Sequence, residues 1–172
     1  MITIREYTEQ DLPSMVKIWN EIVSEGNAFP QDVELDLDQA RDFFASQTYC
    51  GVAETDKIVG LYVLHPNNVG HCGHICNASF AVSAEERGKS IGEFLVRHCI
   101  YIAPKFGFHI LQFNAVLSSN IPAINLYDKL GFKRIGQVKN GYAFADGSYG
   151  DITLFYKNLD EKVGCSSCKN RQ

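Results

Sequence analysis

Between Glu86 and Gly92 the chain reads Glu-Arg-Gly-Lys-Ser-Ile-Gly, and this run has the makings of an anion site. Gly88 and Gly92 let a backbone come close to a ligand. If a helix begins at Ile91, its first N–H groups have no intrahelical acceptor and the positive end of its dipole lies beside them. Arg87 and Lys89 add positive charge. A diphosphate held in this way needs no metal. The plain structural alternative is a tight strand-to-helix turn.

Other phosphate motifs do not fit. Gly88-Lys89-Ser90 matches the end of a P-loop, but that motif needs glycine at position 83, where Ser83 stands, and no G-x-G-x-x-G run is present. Thirty residues on, the chain reads Asn120-Ile-Pro-Ala123-Ile-Asn-Leu-Tyr127-Asp-Lys-Leu-Gly131-Phe132. Tyr127 lies one helical turn from Ala123, so its hydroxyl can face the same cleft as that small residue. Asn120 can cap this helix or bind a ligand amide. The stretch His71-Cys72-Gly73-His74-Ile75-Cys76, with Cys165-x-x-Cys168, has metal-binding residue types. A strand alternates its side chains between two faces, however, so no metal is expected there.

These residues need elements to position them. Apolar spacing predicts a helix over Glu9–Ser24, with Leu12, Met15, Val16, Trp19, Ile22 and Val23 on one face and Thr8 and Asp11 in a capping-box arrangement. Gly26 ends it. A loop over Glu25–Asp38 and a short helix over Asp38–Gln47 follow. Strands are expected at Tyr49–Glu54 and Ile58–His65, joined by the turn Thr55-Asp56-Lys57. Further strands are expected at Gly73–Val82 and His109–Leu117. Between these two lie the polar connection Ser83–Ser90 and a helix over Ile91–Pro104, with Ile91, Phe94, Leu95 and Ile102 on one face. The helix from Asn120 to Leu130 has Pro122 in its first turn and Gly131 as its cap. Phe132–Asn158 reads as strands turning near Asp146-Gly147, with Ile152, Leu154 and Tyr156 alternating. The order gives an α/β (α+β) three-layer fold: one domain over residues 1–160 and a polar tail at 161–172.

The chain has 172 residues, 45% apolar and 21% charged, with a formal net charge of −4. That acidity argues against nucleic acid as a partner. Nothing reads as a signal peptide or a membrane span. Six irregularly spaced cysteines then read as reduced thiols, which suits a cytoplasmic protein. Nothing in the composition separates a monomer from a homodimer.

The strand, the Arg87–Gly92 loop and the amphipathic helix together resemble the [QR]-x-x-G-x-[GA] motif of the GNAT N-acetyltransferase superfamily. Arg87 and Gly92 match its ends, and Ser90 replaces the usual central glycine. The run Asn120–Phe132 resembles that superfamily's second signature. The resemblance implies a mostly antiparallel central sheet whose splayed central strands, flanked by helices, take acetyl-CoA as cosubstrate. It places acetyl-CoA against Phe80, Ala81, Val82, Arg87, Gly88, Lys89, Ser90, Ile91, Gly92, Asn120 and Ala123, with backbone groups around Phe80–Val82 polarising the thioester carbonyl. Tyr127 resembles the family's general acid.

Gly73-His-Ile-Cys-Asn77-Ala, Phe113-Asn114-Ala-Val and Asn120 further resemble the fungal proline-analogue acetyltransferases that act on azetidine-2-carboxylate. Glu25-Gly-Asn-Ala-Phe29-Pro resembles their acceptor-side loop. The resemblance implies that Phe29, Asn77 and Asn114 meet a small amine or amino-acid acceptor. The alternative for the asparagines is pairing with backbone across the splayed strands. Glu25 and His71 are the candidate proton acceptors. Two other functions stay open: a non-catalytic acetyl-CoA sensor, and an acetyltransferase of protein N-termini or lysines.

Overall fold

A computed structural model describes residues 2–160. The tail at 161–172, with Cys165 and Cys168, lies outside the described residues. Seven strands form one sheet in the order β1-β2-β3-β4-β5-β7-β6. They are β1 (Thr3–Glu6), β2 (Tyr49–Glu54), β3 (Ile58–Pro66), β4 (Ile75–Val82), β5 (Ile110–Leu117), β6 (Lys133–Ala143) and β7 (Tyr149–Asn158). Every neighbouring pair is antiparallel except β4 and β5. The expected mixed three-layer fold is present.

Helices α1 (Leu12–Glu25) and α2 (Leu37–Ala45) cover one face, and α3 (Ile91–Ile102) and α4 (Ile121–Lys129) cover the other. Strand alternation divides the core between them. Val52, Leu61, Val63 and Ala81 pack with Trp19, Ile22 and Phe44 on the first face. Ala53, Tyr62, Leu64, Leu111 and Phe113 pack with Leu95, Cys99 and Ile124 on the second. The buried phenol of Tyr62 shares a hydrogen bond with His98 Nδ1 at 2.9 Å, which ties β3 to α3.

Several details differ from expectation. The short strand β1 was not foreseen, because four residues at a sheet edge carry too little periodicity to stand out. In α3 the core face carries Ile91, Leu95, Val96 and Cys99, while Phe94 is exposed. In β7 the buried face carries Thr153 and Phe155, and the foreseen Ile152, Leu154 and Tyr156 are half-buried on the other side. No helix among the described residues is long and apolar enough to cross a membrane.

The start of α1 is held by one buried carboxylate. Asp11 takes two hydrogen bonds from Arg5, at 2.7 and 2.9 Å, and others from the Thr8 N–H (2.7 Å) and hydroxyl (3.0 Å). Arg5 also reaches Glu54 on β2 at 2.8 Å. Hydrogen bonds from Arg5 hold the Asp11 carboxyl at about 2, below its ordinary 3.8. Its folded-state pKa is depressed, so its stabilisation is present in full above about pH 4 and fades as the pH falls toward 2. Asp11→Asn is therefore expected to lower unfolding free energy at pH 7 by about 2 kcal/mol. It should also flatten the loss of stability between pH 4 and 2. Urea denaturation across that range checks both.

Candidate active site

The parallel strands β4 and β5 pair only at Ile75–Ile110 and Cys76–Leu111. Beyond that they diverge, and a cavity of about 780 Å³ lies between them. The cause on the β5 side is a bulge. Phe113 faces Phe155 of β7 while Val116 faces Thr153, so three steps along β5 match two along β7. The extra residue falls at Asn114–Ala115. A bulge bends its strand and re-aims its side chains, and this one turns β5 from β4 where the cavity opens.

On the β4 side the register against β3 is unbroken from Pro66–Cys76 to Gly60–Val82. The Ser83 N–H donates to the Val59 carbonyl on the β3 side. By strand alternation, the N–H groups of Phe80 and Val82 point the other way, toward β5 and the cavity. Both residues line it, whereas the Ala81 side chain is buried in the α1/α2 layer.

At one end of the cavity, Arg87 and Gly92 line the wall. A Cβ added at Gly92 would sit in ordinary contact, 4.0 Å from both Val82 and Leu126, so only a longer side chain would fill this end of the cleft. Gly88 (φ +80°) and Ser90 (φ +62°) both adopt the left-handed conformation. Ser90 is the N-cap of α3, yet its hydroxyl makes no capping bond. Its conformation explains the glycine usual at this point of the motif: a Cβ is strained there. The Ile91 side chain is buried in the core, and Gly88, Ser90 and Ile91 lie beside the cavity without lining it. Lys89 points outward and pairs with Glu86 at 2.7 Å. Arg87 donates to Glu25 at 2.7 Å and to the Val82 carbonyl at 3.4 Å.

Tyr127, Ala123 and Asn120, all on or capping α4, line the adjoining wall. Asn120 Oδ1 accepts from the Ala123 N–H at 3.3 Å, which caps the helix and leaves the Asn120 NH₂ group for a ligand. The Tyr127 ring is held between Phe113, Phe132 and Phe155, with centroids 4.5, 5.5 and 5.6 Å away. Its phenol oxygen has no hydrogen-bond partner among the described residues. Burial pushes its pKa above the ordinary tyrosine value, so it keeps its proton through neutral pH.

The other end is built of amides. Asn77 and Asn114 line the cavity from the two diverging strands. Asn77 Oδ1 accepts from the Ala78 N–H at 2.8 Å. Asn114 accepts from Gln112 at 2.9 Å and donates to Asn67. Each amide retains a free donor. Phe29 closes this end: its ring packs on Trp19 at 4.5 Å and its carbonyl accepts from the Tyr142 hydroxyl at 2.8 Å.

His71 is exposed and does not line the cavity, whereas Glu25 does. Cys76 is buried, and its thiol donates to the Ile110 carbonyl at 3.2 Å. Among the described residues no group of three or more His, Cys, Asp or Glu is placed to hold a metal ion. Sequence reasoning did not foresee Asn67, Gln112 and Tyr142. They meet the site through contacts spanning from two to over a hundred residues, and nothing in their local pattern marks them.

A profile of the acetyltransferase (GNAT) family matches residues 12–132. The chain belongs to that family. It is thus an acetyl-CoA-dependent N-acetyltransferase in kind, and the cleft fits the cosubstrate: an open glycine and free helix N–H groups lie at one end, with strand N–H groups along the wall. The chain is 32% identical over 152 residues to N-acetyltransferase aca1 of Schizosaccharomyces pombe, covering 77% of this chain and 72% of the relative. It is 29% identical over 168 residues to the L-methionine sulfoximine/L-methionine sulfone acetyltransferase of Pseudomonas aeruginosa, covering 92% and 95%. Among solved structures, a GCN5-related N-acetyltransferase from Kribbella flavida superposes with a TM-score of 0.84 at 30% identity, covering 91% of this chain and 97% of that one.

Removing the Cβ at the left-handed Ser90 should relieve strain by more than the added freedom of the unfolded chain costs. Ser90→Gly is expected to stabilise the fold by about 0.5–1 kcal/mol, read as a raised midpoint in chemical denaturation. Gly92→Leu should fill the cleft between Val82 and Leu126 and weaken CoA binding in calorimetry, with the unfolding midpoint little changed.

Proposed function

We propose that this chain moves the acetyl group of acetyl-CoA onto the amine of a small amino or imino acid. The observation that carries this reading is the single cavity between β4 and β5. It has an anion-binding loop at one end, neutral amides at the other, and a protonated phenol in the wall between. The methionine sulfoximine/methionine sulfone acetyltransferase among its relatives supports an amino-acid-like acceptor.

Bound acetyl-CoA supplies a thioester whose carbonyl carbon accepts the amine's lone pair. The loop at 87–92 and the start of α3 hold its diphosphate through backbone N–H groups. The Phe80 and Val82 N–H groups meet the carbonyl oxygen and stabilise the charge that develops on it. Tyr127 keeps a proton ready for the departing sulfur. Asn77 and Asn114 offer donors to the acceptor's carboxylate, and Phe29 covers it. Such a site, with no counter-charge among its amides, suits a compact zwitterion. A compact ring amino acid such as azetidine-2-carboxylate fits that description and is the acceptor we favour. Free thiols at Cys50, Cys72, Cys76 and Cys99 accord with the cytoplasm.

Thiol release from acetyl-CoA with amino and imino acids tests the reading. Tyr127→Phe is expected to keep CoA binding and lower kcat by about 10² to 10⁴. An acid must hold its proton, and burial keeps this phenol protonated across the assay range, so the loss in the variant should be of similar size at each pH. Asn77→Ala and Asn114→Ala should raise the acceptor KM or lower kcat with CoA affinity nearly unchanged. Normal turnover by Tyr127→Phe would remove its assignment as the acid.

A further inference from the structure

Glu25 and Arg87 form an ion pair that joins the two ends of the cavity. Glu25 is the last residue of α1 and leads directly into the acceptor-side loop that ends at Phe29. Arg87 opens the anion loop. Both line the cavity, and Arg87 Nη2 donates to Glu25 Oε1 at 2.7 Å. One helical turn earlier, Glu21 accepts from the N–H of Ala84, in the turn that leads into the anion loop, at 3.4 Å, so the end of α1 leans on this connection at two points. Glu25 is the one carboxylate in the described cavity lining. Its side chain is 32% exposed and that of Arg87 is 43% exposed, so neither is locked in the core.

We infer that Glu25 is the proton acceptor for the amine, and that Arg87 masks it until a diphosphate draws the guanidinium away. The inference rests on the acetyltransferase reading. A diphosphate and a carboxylate compete for the same guanidinium, and the diphosphate carries more charge and more acceptor oxygens. Gly26 (φ +59°) and Gly88 (φ +80°) follow the two partners at once, so each side chain leaves beside a backbone joint of low steric cost.

Once unmasked, the carboxylate faces the amine in a cavity with no other anionic side chain among its described lining. The proton balance closes. The ammonium nitrogen gives one proton to Glu25, which passes it to solvent, and its lone pair forms the C–N bond. The C–S bond breaks with its electron pair on sulfur, which takes the Tyr127 proton. The second proton lost from nitrogen returns to the phenol through solvent.

Because Glu25 competes with the diphosphate, removing its charge should not harm CoA binding. Calorimetric titration of CoA into wild type, Glu25→Gln and Arg87→Gln, with acceptor kinetics alongside, separates the roles. Glu25→Gln is expected to bind CoA as tightly as wild type or up to about tenfold tighter, while kcat falls by about 10² or more. Arg87→Gln should bind CoA about tenfold more weakly. If Glu25→Gln weakens CoA binding tenfold, Glu25 merely holds Arg87 in its binding pose and the inference is overturned. Wild-type turnover by Glu25→Gln overturns it too, as does joint loss of CoA binding and turnover with a lowered unfolding midpoint. A wild-type chain that binds no CoA would fail differently, removing the acetyltransferase reading and this inference together.

Discussion

The site depends on one failure of pairing. A parallel pair of central strands normally exchanges hydrogen bonds along its whole length, and unpaired backbone groups in a sheet interior are costly. Here β4 and β5 exchange them only around Ile75–Ile110 and Cys76–Leu111 and then part. The Asn114–Ala115 bulge fixes the parting on one side and the intact β3–β4 register fixes it on the other. The N–H groups left along β4 are binding capacity that a polar, extended ligand can satisfy. Two aromatic contacts of Phe113, to Tyr127 at 4.5 Å and Phe132 at 4.8 Å, stiffen the wall opposite, so the gap does not close by collapse.

Much of this was legible in the sequence, for reasons that differ by element. The α1 face and the Gly131 stop at the end of α4 are written in local periodicity and turn chemistry, and both appear, with Ile18 on the buried face and Val16 at its margin. The anion loop was legible because its glycines, charges and following helix lie within one short run. What local pattern cannot carry is where a charged side chain goes afterwards. Lys89, expected as a phosphate charge, sits on Glu86, and Arg87 sits on a residue 62 positions earlier. Asn114 was read as an acceptor ligand, and it also belongs to a side-chain ladder with Gln112 and Asn67. Its assignment to the acceptor thus concerns the free donor that remains.

The electrostatics of the cleft follow from a net acidic chain that must still hold a polyanion. The guanidinium of Arg87 and the ammonium of Lys89 are each paired with a glutamate, and both pairs are partly exposed, where ion pairs contribute little to stability. Weak pairs are an advantage at a binding loop. They keep flexible cations near the entrance without committing them, and a diphosphate can displace the glutamates at small cost. The fixed part of the anion site is the backbone, whose N–H groups at the start of α3 do not have to be recruited.

Neutral amides at the acceptor end impose a complementary logic. A buried cation facing an amino-acid carboxylate would bind it more strongly, but would also pull on the diphosphate and on Glu25, which share the same cavity. Asparagine donors bind a carboxylate through hydrogen bonds of modest strength and leave the long-range field to the loop. The cost falls on affinity and the gain on discrimination. An acceptor lacking the carboxylate leaves desolvated amide donors without partners, and such orphaned donors are penalised more than a satisfied pair is rewarded. On the proposed reading, such a cleft sorts acceptors by shape and hydrogen bonding, with Phe29, backed by the buried Trp19, covering the compact ones. Charge then does its selecting at the far end, where the diphosphate enters.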